Sequence, residues 1–518
     1  MTTASAERLA AVREWGRHAR PPKPLGTRLE AVYVLALAAG TIGLLAYGTA
    51  SSVLAGWITP TSATVWGPSI LLLALLLVGR WGTWLGPVVF RHADVAFLLG
   101  APLPRSGLVR PRLGWALVRG ALAGALTGAV ALVGLAGRGR SVDVGPAVGL
   151  LAGLGLCGVL GIALAWAVQS SARVARLVTL LIPVVVLAAA GLAALSHAGG
   201  SARKVVLWSG PWGWAVQPAN AAANDHWGIA LALLALVAAA GAWLALRAAA
   251  ACSTERHALR AEAREGAGAS LAALNVRSAQ LALRRVDAKR GVPRRSRLPL
   301  PRRPALALPW RDASALLRAP GRLAEAVLLA GAGTALALTQ ADHFSAAAVA
   351  ALLSYLAVAR LLEPVRLEVD TPGASRILLL RPFGQVLLGH MAAPLAVVVC
   401  AGALAAVPCA LAGAIVARPG ALVSVALLAM LTVGLCAALS ARRGGRMPLS
   451  VLFFASGSDP SGGGIVVLLW LIAWPATAAL VGGGALHLAS RAHGTGTALI
   501  LALAAPVVLG YLLGGSQA

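Results

Sequence analysis

The sequence predicts an all-α polytopic membrane protein with about twelve transmembrane helices in two parallel six-helix halves. Three observations lead there. Mean hydropathy is +0.81 with only 12% charged residues among 518, outside the range of soluble domains. Apolar runs of about 20 residues recur, each long enough to cross a hydrocarbon core of roughly 30 Å. The alternation of a membrane β-barrel is missing. Lipid offers no partner to backbone N–H and C=O groups, so the runs must be helices.

The elements follow in chain order. Residues 1–30 form a charged cytoplasmic tail without a cleavable signal pattern, ending in an elbow helix. The first half, 31–249, carries spans near 31–53, 65–80, 114–136, 145–169, 174–196 and 227–249. A basic cytoplasmic linker occupies 250–309. The second half, 310–518, opens with an elbow helix and carries spans near 323–340, 344–361, 388–416, 421–440, 463–484 and 496–514. The stretch 388–416 is long enough to bend or to hide a re-entrant turn.

Orientation comes from the basic residues between spans. With both termini inside, only Arg138, Arg140, Arg203, Lys204, Arg418 and Arg491 of the 44 basic residues fall outside. The net charge of +27 is thus a topology signal and an attraction to anionic lipid heads. Nucleic-acid binding is not needed to explain it. Lysine occurs only at Lys23, Lys204 and Lys289, which with the Ala and Gly excess points to a GC-rich bacterial genome. The expected location is the bacterial cytoplasmic membrane.

Each half begins with a basic, Trp-containing stretch, "VREWGRHARPP" at 12–22 and "WRDASALLRAP" at 310–320. In each, two spans with a short outer loop precede a charged segment, 80–113 or 360–387. Both halves enter and leave on one side, so the repeat is parallel. Between them, "STERHALRAEAREGAGASLAALNVRSAQLALRRV" can form helix with Leu271, Leu274 and Leu281 on one side. The prolines of "GVPRRSRLPLPRRPALALP" favour an extended linker. The segment reads as a basic strap on anionic lipid, or as a docking surface for a soluble partner.

Several chemistries lack their residues. The apolar runs hold essentially no central charge, and Glu30, Glu325 and Arg360 lie at span ends, which argues against a proton relay. Gln169, His390 and His487 lie near interfaces, where satisfied or solvated roles are expected. Cys157, Cys252, Cys400, Cys409 and Cys436 form no metal-binding or redox spacing. No lysine follows a glycine, so there is no P-loop, and "GSDPSGGG" at 457–464 reads as a turn. No catalytic residue, metal or cofactor is expected. The chain is not read as an enzyme, and ATP hydrolysis would belong to a partner subunit.

Within 91–118 stands "DVAFLLGAPLPRSGLVRPRL", 94–113, which resembles the cytoplasmic segment after the second span of ABC-2-type exporter permeases. Asp94, Phe97, Leu98, Leu99, Pro102, Leu103 and Arg105 fall on that pattern, with Pro104 as a variation before Arg105. "WRDASALLRAPGRL" at 310–323 resembles the interfacial elbow helix of such permeases. Trp310, Leu316 and Leu317 would lie in the interface while Arg311 and Arg318 reach phosphates. "GPWGWAVQP", 210–218, resembles their outer loop before the sixth span, with Trp208, Trp212, Trp214 and Trp227 suited to the headgroup region.

The resemblance implies two fused permease halves served by separate ABC ATPase subunits. It also implies export of a hydrophobic or amphipathic substrate. The segment 94–105 would couple to the ATPase. The matching stretch 361–390 departs further, and its candidates are Glu363, Asp370, Pro382 and Phe383, with Glu368 also acidic. Two other readings stand beside this one: a secondary transporter of the major facilitator class and a non-transporting membrane scaffold. The stretch "GRWGTWLGPVVFRHAD" lacks the Asp-Arg pair expected of the former.

Overall fold

The structure is a computed structural model that describes residues 60–136, 143–197, 199–272, 306–370, 389–411, 419–443 and 472–491, with a few isolated positions elsewhere. The expected spans at 31–53 and 496–514 lie outside the described residues. Among the described residues there is no strand, and eight helices are long and apolar enough to cross a membrane. The chain is an all-α, multi-pass membrane protein.

The chain divides into two compact units, Met1–Val178 with Gly199–Glu265 and Thr179–Ala198 with Gly266–Ala518. The first contains α1 (Pro60–Trp81), α2 (Arg105–Ala136), α3 (Val144–Ser170), the start of α4 (Ala172–His197), α5 (Trp227–Arg247) and most of α6 (Thr254–Ala272). These agree with the expected spans within several residues, except that α2 begins well before 114. Pro111 lies inside that extension, past the first turn, where it has no N–H to donate to the Gly107 carbonyl.

α3 is the hub of the first unit, with α1, α2 and α5 packed along it. Glycines permit the closest approach. Gly120, Gly124 and Gly128 recur every fourth residue on α2 and face Gly158, Leu154 and Leu151 of α3. A Cβ at Gly124 would collide with the Leu154 carbonyl. Small residues at this spacing let helix backbones touch, and dispersion between them replaces the hydrophobic force that lipid withholds.

The second unit contains α7 (Ala307–Arg318), α8 (Pro320–Gln340), α9 (Phe344–Leu361), α10 (Glu363–Asp370), α11 (Ala392–Leu411), α12 (Pro419–Arg442) and α13 (Ile472–Ser490). Its centre is α9, against which α8, α12 and α13 pack. Ala346, Ala347, Ala350, Ala351 and Ala357 are buried there beside Tyr355 and Val358. α13 ends later than the expected span 463–484 and contains a π turn, Ala478–Gly482. Glu325 and Arg360, at the ends of α8 and α9, pair at 3.9 Å.

Candidate functional site

The segment between α1 and α2 is held from three sides. Gly86 has φ +70°, where a side chain would be strained and would meet Gln169. Gln169, at the end of α3 and fully buried, then clamps the following backbone. Its Nε2 donates to Val88 O at 2.6 Å and its Oε1 accepts from Val88 N at 3.2 Å. A satisfied role was expected for Gln169, and this is its form.

After Phe90 the chain makes one helical turn, His92–Asp94, which widens into a π turn, Val95–Leu99. Val95 and Leu99 are buried in a cluster with Val88, Phe90, Leu113 and Trp166. The intervening Phe97 is 77% exposed, Leu98 is half-buried and Pro102 is exposed. Arg112 Nη2 donates to Asp94 Oδ2 at 2.9 Å, and its guanidinium lies 3.9 Å from the centre of the Phe90 ring. That pair ties the short turn to α2. Of the family-pattern residues, Phe97, Leu98, Pro102 and the exposed Arg105 face outward, whereas Asp94 and Leu99 serve the internal packing.

The other wall is α6, where the sequence suggests a strap or a docking surface. Instead, its first turns are built into the first unit. His257 and Arg260 are 2% and 1% exposed. Arg260 Nη2 donates to Gly82 O and Gln169 O, both at 3.3 Å, and Arg256 Nη1 donates to Ser170 O at 2.5 Å. Two arginines thus cap carbonyls where α1 and α3 end, the place at which helix dipoles attract cations. Glu265 Oε1 accepts from His92 N at 2.8 Å.

The His257 ring meets Phe90 edge-on, with centroids 4.9 Å apart. Burial holds its imidazole below the usual 6.5, down to about 4, with Arg260, Arg112 and Arg105 adding to the effect. His257 is therefore a neutral packing group at physiological pH. The helix itself was legible, but not that the face shared by His257, Arg260 and Ala261 is buried. Its polar composition hid the burial.

The second half is organised differently. Glu363 is 7% exposed and lies 3.7 Å from Arg366, so its carboxylate serves the fold and is not displayed to a partner. Glu368 is also buried, and Asp370 closes α10. Pro382 and Phe383 lie outside the described residues. The elbow helix is present as α7, but its two leucines part company: Leu316 is buried in the core and Leu317 is 44% exposed. Successive helix positions are about 100° apart, so both cannot share one narrow face. Trp310 is half-buried, and Arg311 and Arg318 are exposed.

α7 also brings an unexpected trio together. His390 Nδ1 donates to Asp312 Oδ2 at 2.5 Å, and Arg311 Nη2 donates to His390 Nε2 at 3.3 Å. The two partners assign the tautomer, because one ring nitrogen faces a carboxylate and the other a guanidinium. With Asp312 and His390 each 1% exposed, the trio staples α7 to the chain just before α11. No sequence pattern connects positions 78 apart.

Outside these clusters, Trp212 Nε1 donates to Ser209 Oγ at 2.9 Å, and Gln217 Nε2 donates to Leu207 O at 3.0 Å, fixing the Trp-rich turn. Among the described residues no three His, Cys, Asp or Glu side chains gather to hold a metal ion. Compared with models of known protein families and with characterised proteins, the chain matches none.

Proposed function

We propose that the chain is the membrane-spanning subunit of an ATP-driven exporter of the ABC-2 kind, moving a hydrophobic or amphipathic substrate. In this reading it has twelve spans as two parallel six-helix halves, with termini and basic segments on the cytoplasmic side of a bacterial plasma membrane. Separate ATP-binding-cassette subunits supply the energy. The observation that carries the reading is the segment 92–105, with Phe97 exposed while its neighbours Val95 and Leu99 are buried.

A short helical turn tied to the ends of two spans is a suitable lever. Force on Phe97 passes through Val95, Leu99 and the Asp94–Arg112 pair into α2, and through Val88 and Gln169 into α3. An aromatic knob with basic residues at Arg91 and Arg105 suits an apolar groove with an acidic rim. On the second half, Asp370, Pro382 and Phe383 are the candidates for a matching contact.

The test is co-expression with an ATP-binding-cassette protein encoded beside this chain. Phe97→Asp with Leu98→Asp lowers co-purification of the ATPase at least about tenfold, the loss expected from one interface anchor. Phe97→Asp alone, at a side chain 77% exposed, keeps the melting temperature and separates lost docking from lost folding. Undiminished association would overturn the assignment of this segment.

A further inference from the structure

Away from the lever, the first unit carries a cleft with a cationic mouth. α2 and α5 both lie along α3 but approach each other chiefly at the basic end, where the turn Ala248–Ala250 meets α2. There Arg110 Nε donates to Leu246 O at 3.2 Å, closing the gap. Val159 and Ile162 of α3 pack beneath, together with Ala242 and Leu246 of α5. Further from that end, α5 offers only exposed small residues on the side of Leu246, Ala232, Ala235 and Ala239, at helical spacing. On α2, Val118 and Leu122 are exposed. The walls are apolar, one of them low, and the floor is half-buried hydrocarbon.

The mouth is charged, and among the described residues Arg110 and Arg247 have no ion-pair partner within 4 Å. Arg110 and Arg247 are both exposed, and no acidic residue occurs anywhere in 105–136 or 227–250. Arg247 lies with its guanidinium 4.3 Å from the centre of the Trp243 ring, and Trp243 is 53% exposed. A Trp one turn below an Arg is the arrangement of a headgroup boundary, with the indole among glycerol groups and the guanidinium among phosphates. Arg110 is held by its own Nε bond, so its remaining N–H groups are pre-aimed outward.

We propose that this cleft is a specific site for one anionic phospholipid, its phosphate between Arg110 and Arg247 and one acyl chain between α2 and α5. Charge complementarity selects the occupant: an apolar slot ending in two guanidiniums fits an amphiphile with a negative head. The site needs only that the chain spans a membrane, and does not depend on a partner ATPase.

Native mass spectrometry of the purified chain with equimolar phosphatidylglycerol and phosphatidylcholine tests it. The wild-type protein retains phosphatidylglycerol in roughly tenfold excess, as expected for two arginines near a phosphate. In R110Q/R247Q that excess falls to near parity. R119Q, which removes an exposed arginine from the outer face of the same helix, keeps it. Ala239→Phe fills the slot while leaving every charge, and also lowers retention of the lipid. Three results would each overturn the proposal: an unchanged excess in the double variant, an equal loss in R119Q, or full retention after Ala239→Phe. The last would mark a bare anion site in place of a lipid slot.

Discussion

His257 is the residue whose surroundings have the most measurable consequence. Unfolded, its imidazole takes a proton near 6.5; folded, it does so only at about 4. Between those values the unfolded chain binds more protons, so stability is full above about pH 6.5 and is lost as pH falls toward 4. The shift corresponds to a ceiling of about 3 kcal/mol. Lowering the pH from 7 to 5 is expected to reduce the melting temperature of the wild-type protein more than that of His257→Leu. Equal reductions in a thermal melt would show that His257 is not the group responsible. Arg260 beside it cannot be replaced by lysine without loss, because its Nη2 donates to two helix-end carbonyls while its Nη1 reaches Cys252 Sγ, a fork that a single ammonium nitrogen lacks.

At the scale of elements, α2 and α3 show how a membrane helix pair is specified by what it lacks. The stretch "GALAGALTG", 120–128, reads as composition bias in an Ala- and Gly-rich chain, yet its three glycines are the contact surface. Gly124→Val is expected to push α2 from α3 and destabilise the first unit by about 2 kcal/mol, the usual cost of overpacking. Ala123→Val, on the exposed neighbouring face, is expected to change stability by less than about 0.5 kcal/mol. Comparing the two unfolding midpoints in detergent checks this. α6 presents the opposite problem. Its charged sequence predicts a solvated surface, but two of its arginines find helix-end carbonyls and its histidine finds Phe90. Local polarity does not reveal that a neighbouring helix end has carbonyls to satisfy.

For the whole molecule, the distribution of arginine predicts a single orientation. A membrane-impermeant thiol reagent added to intact cells is expected to label Ser201→Cys and to spare Ser296→Cys, in a background with Cys400→Ser. Labelling of Ser296→Cys alone would reverse the topology, and labelling of both would deny a single one. The spans themselves were legible because apolar length is a one-dimensional property, and the π turn of α13 was not, because one extra residue per turn leaves hydropathy unchanged. The turn at 92–99 was legible as an element, but which of its side chains face outward was not. Phe97 faces outward, while Asp94, Leu99 and Glu363 turn inward to Arg112, the apolar cluster and Arg366.

By itself the sequence determined that this protein is helical and membrane-spanning, and where most described helices begin and end. Water's exclusion from lipid acts on each stretch of chain separately, so those conclusions need no knowledge of neighbours. Only the tertiary structure decided which polar side chains are shared between elements: Gln169 with Val88, Arg260 with the ends of α1 and α3, and His390 with Asp312. A buried polar group is satisfied by whatever partner the fold brings within about 3 Å. That distance belongs to the packing of helices far apart in the chain.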